Sequence, residues 1–220
     1  MFIGHFGIGF GAKVVARQTS LGTLFLSVQF MDLLWPTLLL AGVERVRIDP
    51  TATRVVPLDF EHYPYSHSLA AVVGWSVGFA LVYQLLRRYP RGAMVVGLAV
   101  LSHWVLDLIV HRPDLPLYPG GVRLGLGLWS SMPWTIVVET AVFGVGVWLY
   151  ARATGARDAT GRWALWSLVA FLLLIHVANL FGDPPPNVAA IAWVGQAQWL
   201  LVAWGYWIDR HRDALSPTTT

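Results

Sequence analysis

Six apolar stretches, each about twenty residues long and parted by short polar joints, limit what this chain can fold into more than any motif does. A helix needs roughly 20 apolar residues to cross the hydrocarbon core of a bilayer, so 220 residues hold six crossings and little else. The stretches lie near 21–42, 67–86, 93–110, 128–150, 163–182 and 188–208. Charged residues make up 12% of the chain, about half the share found in a soluble domain. The expectation is an all-α integral membrane protein, a bundle of about six transmembrane helices forming one membrane domain over 1–215. Residues 216–220 read as a disordered polar tail.

The fifteen Lys and Arg are scattered among short loops, with no basic patch interleaved with aromatics, which argues against nucleic-acid binding. Ten of them (Lys13, Arg17, Arg87, Arg88, Arg91, Arg152, Arg157, Arg162, Arg210 and Arg212) fall on one side of a six-span topology. The other five, Arg45, Arg47, Arg54, Arg112 and Arg123, fall on the opposite side. The positive-inside rule puts the ten in the cytoplasm and turns the two long loops, 43–66 and 111–127, outward. Trp35, Trp129, Trp148, Trp163 and Trp207 sit near span ends, as an interfacial aromatic belt requires, whereas Trp75, Trp104 and Trp199 read as packing residues. Residues 3–16 are apolar and rich in glycine but too short to span, and Lys13 and Arg17 follow the apolar stretch rather than precede it, unlike a secretory signal. They read as an N-terminal half-spanning helix whose glycines allow close approach to its neighbours.

Ionisable side chains inside a membrane are costly and point to function. Asp32 lies in the first span; His103 and Asp107 lie one turn apart in the third, with His111 continuing their face; His67 opens the second span between Ser66 and Ser68. With His5 in the half-helix, His5, Asp32, His67, His103 and Asp107 come to one depth in the outer half of the bilayer. A single His or Asp in a span is more often a hydrogen-bonded core residue than a ligand. Five at one depth favour a shared metal site, and since the chain has no cysteine the ligands are nitrogen and oxygen, which suits a divalent ion, zinc first. A second set, Glu139, His176, Asn179, Asp183, Gln196 and Gln198, reads mainly as interhelical hydrogen bonding, with His176, Asn179 and Asp183 on one face. Glu139 is the member of that set suited to general-base work.

Four short stretches carry a resemblance: His5, then Met31-Asp32-Leu33-Leu34, then His62-Tyr63-Pro64-Tyr65-Ser66-His67-Ser68, then Ser102-His103-Trp104-Val105-Leu106-Asp107. Over residues 1–120 they resemble a bacterial family of membrane-bound, metal-dependent hydrolases that includes LexA-binding inner-membrane proteins. That family has an early His, a Pro-Asp-x-Asp stretch, a His-Arg-Gly-x-Thr-His-Ser motif and a Ser-His-x-x-x-Asp motif. The resemblance implies a bacterial cytoplasmic (inner) membrane location and adds His62 as an additional ligand candidate. Leu34 stands where the family has its second aspartate, Tyr63 and Pro64 replace the Arg-Gly pair, and His111-Arg112-Pro113-Asp114 replaces Thr-Pro-x-Gly. One metal is therefore expected rather than two.

Three functions follow. The first is a metal-dependent hydrolase acting on a lipid or lipid-linked ester or phosphoester, with Glu139, His111 and Asp114 as catalytic candidates and membrane lipid as partner. The second is a small permease using the same His/Asp cluster for ions or protons, and the third is a scaffold subunit with a structural metal. Sidedness is testable without background because cysteine is absent. Single cysteines at Thr53 and Gly121 should react with an impermeant thiol reagent in intact cells, and one at Gly155 only after lysis; the reverse pattern inverts the topology.

Overall fold

The computed structural model describes residues 1–215; the tail expected over 216–220 lies outside them. Among the described residues six helices are long and apolar enough to cross a membrane, which makes this a multi-pass membrane protein. They are α2 (Leu21–Leu40), α4 (Leu69–Arg87), α5 (Pro90–Val110), α6 (Met132–Ala153), α7 (Ala159–Phe181), and the pair α8 (Val188–Gln196) and α9 (Gln198–Arg210), which together form the sixth. Two shorter helices complete the set, α1 (Ile3–Ala12) and the single turn α3 (Pro64–His67). The helix starts follow local chemistry. Ser20, Ser68, Asp158 and Asn187 cap α2, α4, α7 and α8 through side-chain oxygens, and Pro90 and Pro133 occupy the first turns of α5 and α6, where a missing N–H costs nothing.

Three expectations are corrected. His67 does not open the second span: it closes α3, because Ser68 is extended and serves as C-cap of α3 and N-cap of α4 at once. The Ser68 hydroxyl donates to the Pro64 carbonyl (2.6 Å) and accepts from the Ala71 N–H (3.2 Å). The sixth span is broken at Ala197, where the backbone tightens to an i−3 bond, Ala197 N to Val194 O at 3.1 Å. The break lies beside three contacts to α2: Gly195 seated on the Pro36 ring, Gln196 donating to Thr37 Oγ1 (2.7 Å), and Gln198 donating to the Asp32 carbonyl (3.4 Å). Pro36 has no N–H, so the Asp32 carbonyl four residues earlier loses its helical partner and Gln198 takes its place. Finally, Trp75 and Trp199 are exposed on the outside of the bundle rather than packed inside, whereas Trp35 and Trp129 are buried rather than interfacial.

Among the described residues the helical bundle carries three two-stranded antiparallel ladders at its ends. β1 (Arg45–Ile48) pairs with β2 (Leu58–His62), and β3 (Leu115–Pro116) with β4 (Arg123–Leu124); these are the two long loops. They lie at the same end and pack together: Arg54 N donates to Trp129 O (3.1 Å), Arg123 to the Glu61 carbonyl (2.8 Å), and Arg112 pairs with Asp59. At the other end β5 (Thr154–Ala156) pairs with β6 (Arg212–Ala214). Lys13 is not a free flanking charge there. It is buried and donates to the Thr19 carbonyl (2.8 Å) and to Asp209 (3.3 Å), tying α1 to α9.

α2 and α5 are the central spans, 56% and 61% buried, and α4 is peripheral at 11%, turning Leu81, Val82, Leu85 and Leu86 outward. α1 lies inside the bundle, with Ile3, Phe6 and Phe10 fully buried, and packs chiefly on α6, then on α2 and α5. Gly7 makes that approach possible, since a Cβ there would stand 2.6 Å from the Val142 carbonyl oxygen and 2.8 Å from Phe143 Cα. Both obstacles are backbone and cannot rotate away. Gly11, one turn on, would meet the end of Leu149 at 3.5 Å and Gly146 Cα at 3.8 Å, both ordinary contacts. Gly7→Ala should therefore cost about 1–3 kcal/mol through overpacking, whereas Gly11→Ala should be neutral or slightly stabilising through helix propensity. Unfolding of the two variants in detergent, followed by circular dichroism, checks the contrast; equal stabilities would refute it.

Candidate metal centre

Four elements bring the polar residues together. α1 contributes His5, α2 Asp32, α3 His67, and α5 both His103 and Asp107. Asp32 lies eight residues before the end of α2, about 12 Å along the helix from the loop end. His5 and His103 are fully buried, Asp107 and His67 nearly so, and Asp32 keeps 26% of its side chain exposed, which makes it the open edge of the cluster.

The tautomer of His103 follows from its surroundings. Its Nδ1 lies 2.7 Å from the Val28 carbonyl oxygen, which can only accept, so Nδ1 carries a proton, and in the neutral ring Nε2 presents a lone pair. That lone pair has no hydrogen-bond partner, although Nε2 is 3.2 Å from Asp107 Oδ2 and 3.7 Å from Asp32 Oδ1. The distances meet an ion-pair limit while the angles do not make a hydrogen bond. His67 Nε2 stands 3.4 Å from Asp32 Oδ1 and 3.8 Å from Asp107 Oδ2. Asp32, His67 and His103 thus bring one carboxylate oxygen and two ring nitrogens together, with Asp107 Oδ2 beside the two imidazoles. For metal–ligand bonds of about 2.0–2.1 Å in tetrahedral geometry, neighbouring ligand atoms are about 3.3 Å apart, and Asp32 Oδ1 lies 3.4 Å from His67 Nε2 and 3.7 Å from His103 Nε2.

His5 occupies the other side of Asp107. Its Nε2 is 3.1 Å from Asp107 Oδ1, the oxygen that also accepts from the Met1 ammonium (2.5 Å), and its ring stacks on that of His103 at 3.8 Å with the planes 2° apart. Two groups of ligand atoms could hold a metal ion, Asp32 with His67 and His103, and His5 with His103 and Asp107; both share His103. Among the described residues His62 belongs to neither. It lies on β2 and lines a separate cleft of about 170 Å³ with Gly121 and Arg123.

The structure places the catalytic candidates around this cluster rather than in it. The expected stripe from His103 through Asp107 to His111 is interrupted, because α5 stops at Val110 and His111 is extended. His111 Nδ1 is instead 2.8 Å from Asp114 Oδ1, and Asp114 also accepts from Arg112 (3.2 Å) and from the Tyr63 hydroxyl (3.4 Å). The Tyr63 ring lies 5.4 Å from His67 and 6.1 Å from His111, next to both groups. Burial, and then the Asp114 and Asp107 carboxylates, push its phenol well above the ordinary tyrosine range, so it stays a donor at neutral pH. Glu139, on α6, is buried and accepts from the Phe2 N–H at 2.9 Å, at the head of α1.

Sequence reasoning missed Tyr63 and Glu44. Glu44 stands among alternating charges in a loop, where nothing local signals burial, yet it is 1% exposed. It accepts from Tyr65 N (2.8 Å), Ser66 N (2.9 Å) and Ser66 Oγ (2.6 Å), and Ser66 Oγ lies 2.7 Å from His67 Nδ1.

The second polar set does not form one face. α7 ends at Phe181, so Asp183 lies beyond it and exposed, and Asn179 is exposed as well. His176 is buried with its Nε2 unpartnered.

The fold and the site define a multi-pass membrane protein with a buried His/Asp cluster able to hold a metal ion. No family model, curated protein or solved structure matches the chain. His176→Ala should leave metal content unchanged and cost about 1 kcal/mol or less, in line with intramembrane polar contacts; elemental analysis and detergent unfolding check this, and loss of metal would join His176 to the site.

Proposed function

We propose that the protein is a membrane-embedded, metal-dependent hydrolase of the bacterial inner membrane, acting on a lipid or lipid-linked ester or phosphoester at the outer leaflet. One observation carries the reading. The Nε2 lone pair of His103, its tautomer set by the Val28 carbonyl, is unpartnered and faces two carboxylates together with His67. A lone pair buried against two anions is unfavourable unless a cation, a metal ion or a proton on the ring itself, lies between them. The motif resemblance around His5, Asp32, His67, His103 and Asp107 supports the same assignment.

His67, His103, Asp32 and Asp107 hold one divalent ion, zinc first, and His5 braces the second oxygen of Asp107. When bound, such an ion supplies an acidified water and polarises a substrate acyl or phosphoryl oxygen. Asp32, the exposed edge, is where substrate enters. The His111–Asp114 pair and the protonated Tyr63 manage protons on the loop side, and Glu139 does so beside α1.

The lipid substrate class rests on the surroundings. α1 is inferred to cross the outer half of the bilayer, and an apolar groove of about 570 Å³ runs between it and α6. His5, Ile8 and Ala12 on α1, with Val15 in the turn after it, follow a three-four-three spacing, and Glu139, Val142, Gly146 and Leu149 do so on α6. The last three of each line the groove, so one polar residue heads each wall, an arrangement suited to a hydrocarbon chain with a reactive headgroup.

The purified protein should carry about one equivalent of a transition metal. His103→Ala and Asp107→Asn should each remove most of it, measured by elemental analysis of protein that remains monodisperse. Full metal content in both variants would refute the site.

A further inference from the structure

The hydrogen bonds around His67 have a direction. A carboxylate only accepts, so the single Ser66 hydroxyl proton points to Glu44 Oε2 at 2.6 Å. Ser66 Oγ is then left as an acceptor at 2.7 Å from His67 Nδ1, which must carry the ring proton. The proton is thereby kept off Nε2, the atom that faces Asp32 and Asp107. The two amide donors from Tyr65 and Ser66 hold the carboxylate in place, and its near-complete burial keeps water from substituting for Ser66. Glu44 enters from the residues just after α2, so the chain Glu44–Ser66–His67 links the outer loop to the cluster.

We propose that Glu44 is a positioning residue which, through the Ser66 hydroxyl, sets the His67 tautomer and so makes its Nε2 a metal ligand. This deepens the metal-site reading and rests on it for its consequence, though not for the tautomer itself. Second-layer partners of this kind orient an imidazole and raise its basicity. The competing role is purely structural, with Glu44 doing no more than capping the α3 turn.

Glu44→Gln separates the two. A carboxamide has nearly the same shape, and its oxygen can still accept from the Tyr65 and Ser66 amides. Its other arm is a donor, however, which turns the Ser66 hydroxyl around to donate to His67 Nδ1 and moves the ring proton to Nε2. Zinc affinity, measured by competition with a chromophoric chelator, should fall about 10–100-fold in E44Q, with the thermal unfolding of the metal-free protein unchanged. Because Glu44 acts through Ser66, E44Q combined with Ser66→Ala should bind zinc no more weakly than Ser66→Ala alone.

Histidine carbon and nitrogen chemical shifts of the metal-free protein, with His67 assigned by His67→Gln, read the tautomer directly. They should show the proton on Nδ1 in the parent chain and on Nε2 in E44Q. A folded E44Q that keeps the Nδ1 proton and parental zinc affinity overturns the proposal and leaves Glu44 as a cap, as do fully additive losses in the double variant. A parent chain that binds no zinc refutes the metal-site reading, whereas the tautomer measurement still decides the role of Glu44.

Discussion

The buried carboxylate of Asp107 is the interaction around which the rest is arranged. An ionised group taken out of water costs several kcal/mol unless charges or donors replace the lost hydration. Here one oxygen receives the Met1 ammonium and His5, and the other faces His103 and His67. Those partners come from three further parts of the chain, the head of α1, the α3 turn and the neighbouring turn of α5. Removing the Met1 ammonium or His5 leaves the charge less compensated, so the site and the packing of α1 stand or fall together.

That arrangement requires α1 inside the bundle, where a ten-residue helix gains little unless it packs closely. Gly7 meets the α6 backbone at Val142 and Phe143 with no side chain between them, and Phe6 and Phe10 fill the space against Phe25 on α2. At the far end the buried Lys13–Asp209 pair anchors the chain leaving α1. Close backbone contact, edge-to-face aromatics and one buried ion pair thus hold in register the helix that carries His5.

The two long loops are more than connectors. Their ladders interlock through Arg112, Arg123 and Arg54, and from this layer Glu44, Ser66 and Tyr63 reach down to the cluster. In the proposed hydrolase this layer controls the hydrogen-bonded state of one ligand and holds the His111–Asp114 pair beside it. The span that carries the open edge of the cluster, α2, also has its helical bonding interrupted at Asp32, where Pro36 hands a carbonyl to Gln198.

Much of this architecture was legible in the amino acids. Hydropathy marked the six long helices to within a few residues, because the requirement for about twenty apolar residues is local. His5, Asp32, His103 and Asp107 stood out for the same reason, since a polar residue in an apolar run is visible without any knowledge of its neighbours, whereas His67 stood out by its Ser-His-Ser setting before the second span. Three things were decided only in the folded chain. His111 leaves the α5 stripe because the helix ends one residue before it and Asp114 offers a partner; His67 sits on its own turn because Ser68 is extended; and Glu44 is buried because three donors from another segment converge on it. Each depends on hydrogen bonds between atoms whose separation along the chain says nothing about their separation in space. The sequence by itself determined the membrane-spanning helices and which side chains are costly to bury there. The tertiary structure alone decided which of them share a site, and which nitrogen of each imidazole faces it, because a ring's proton goes where another segment supplies an acceptor.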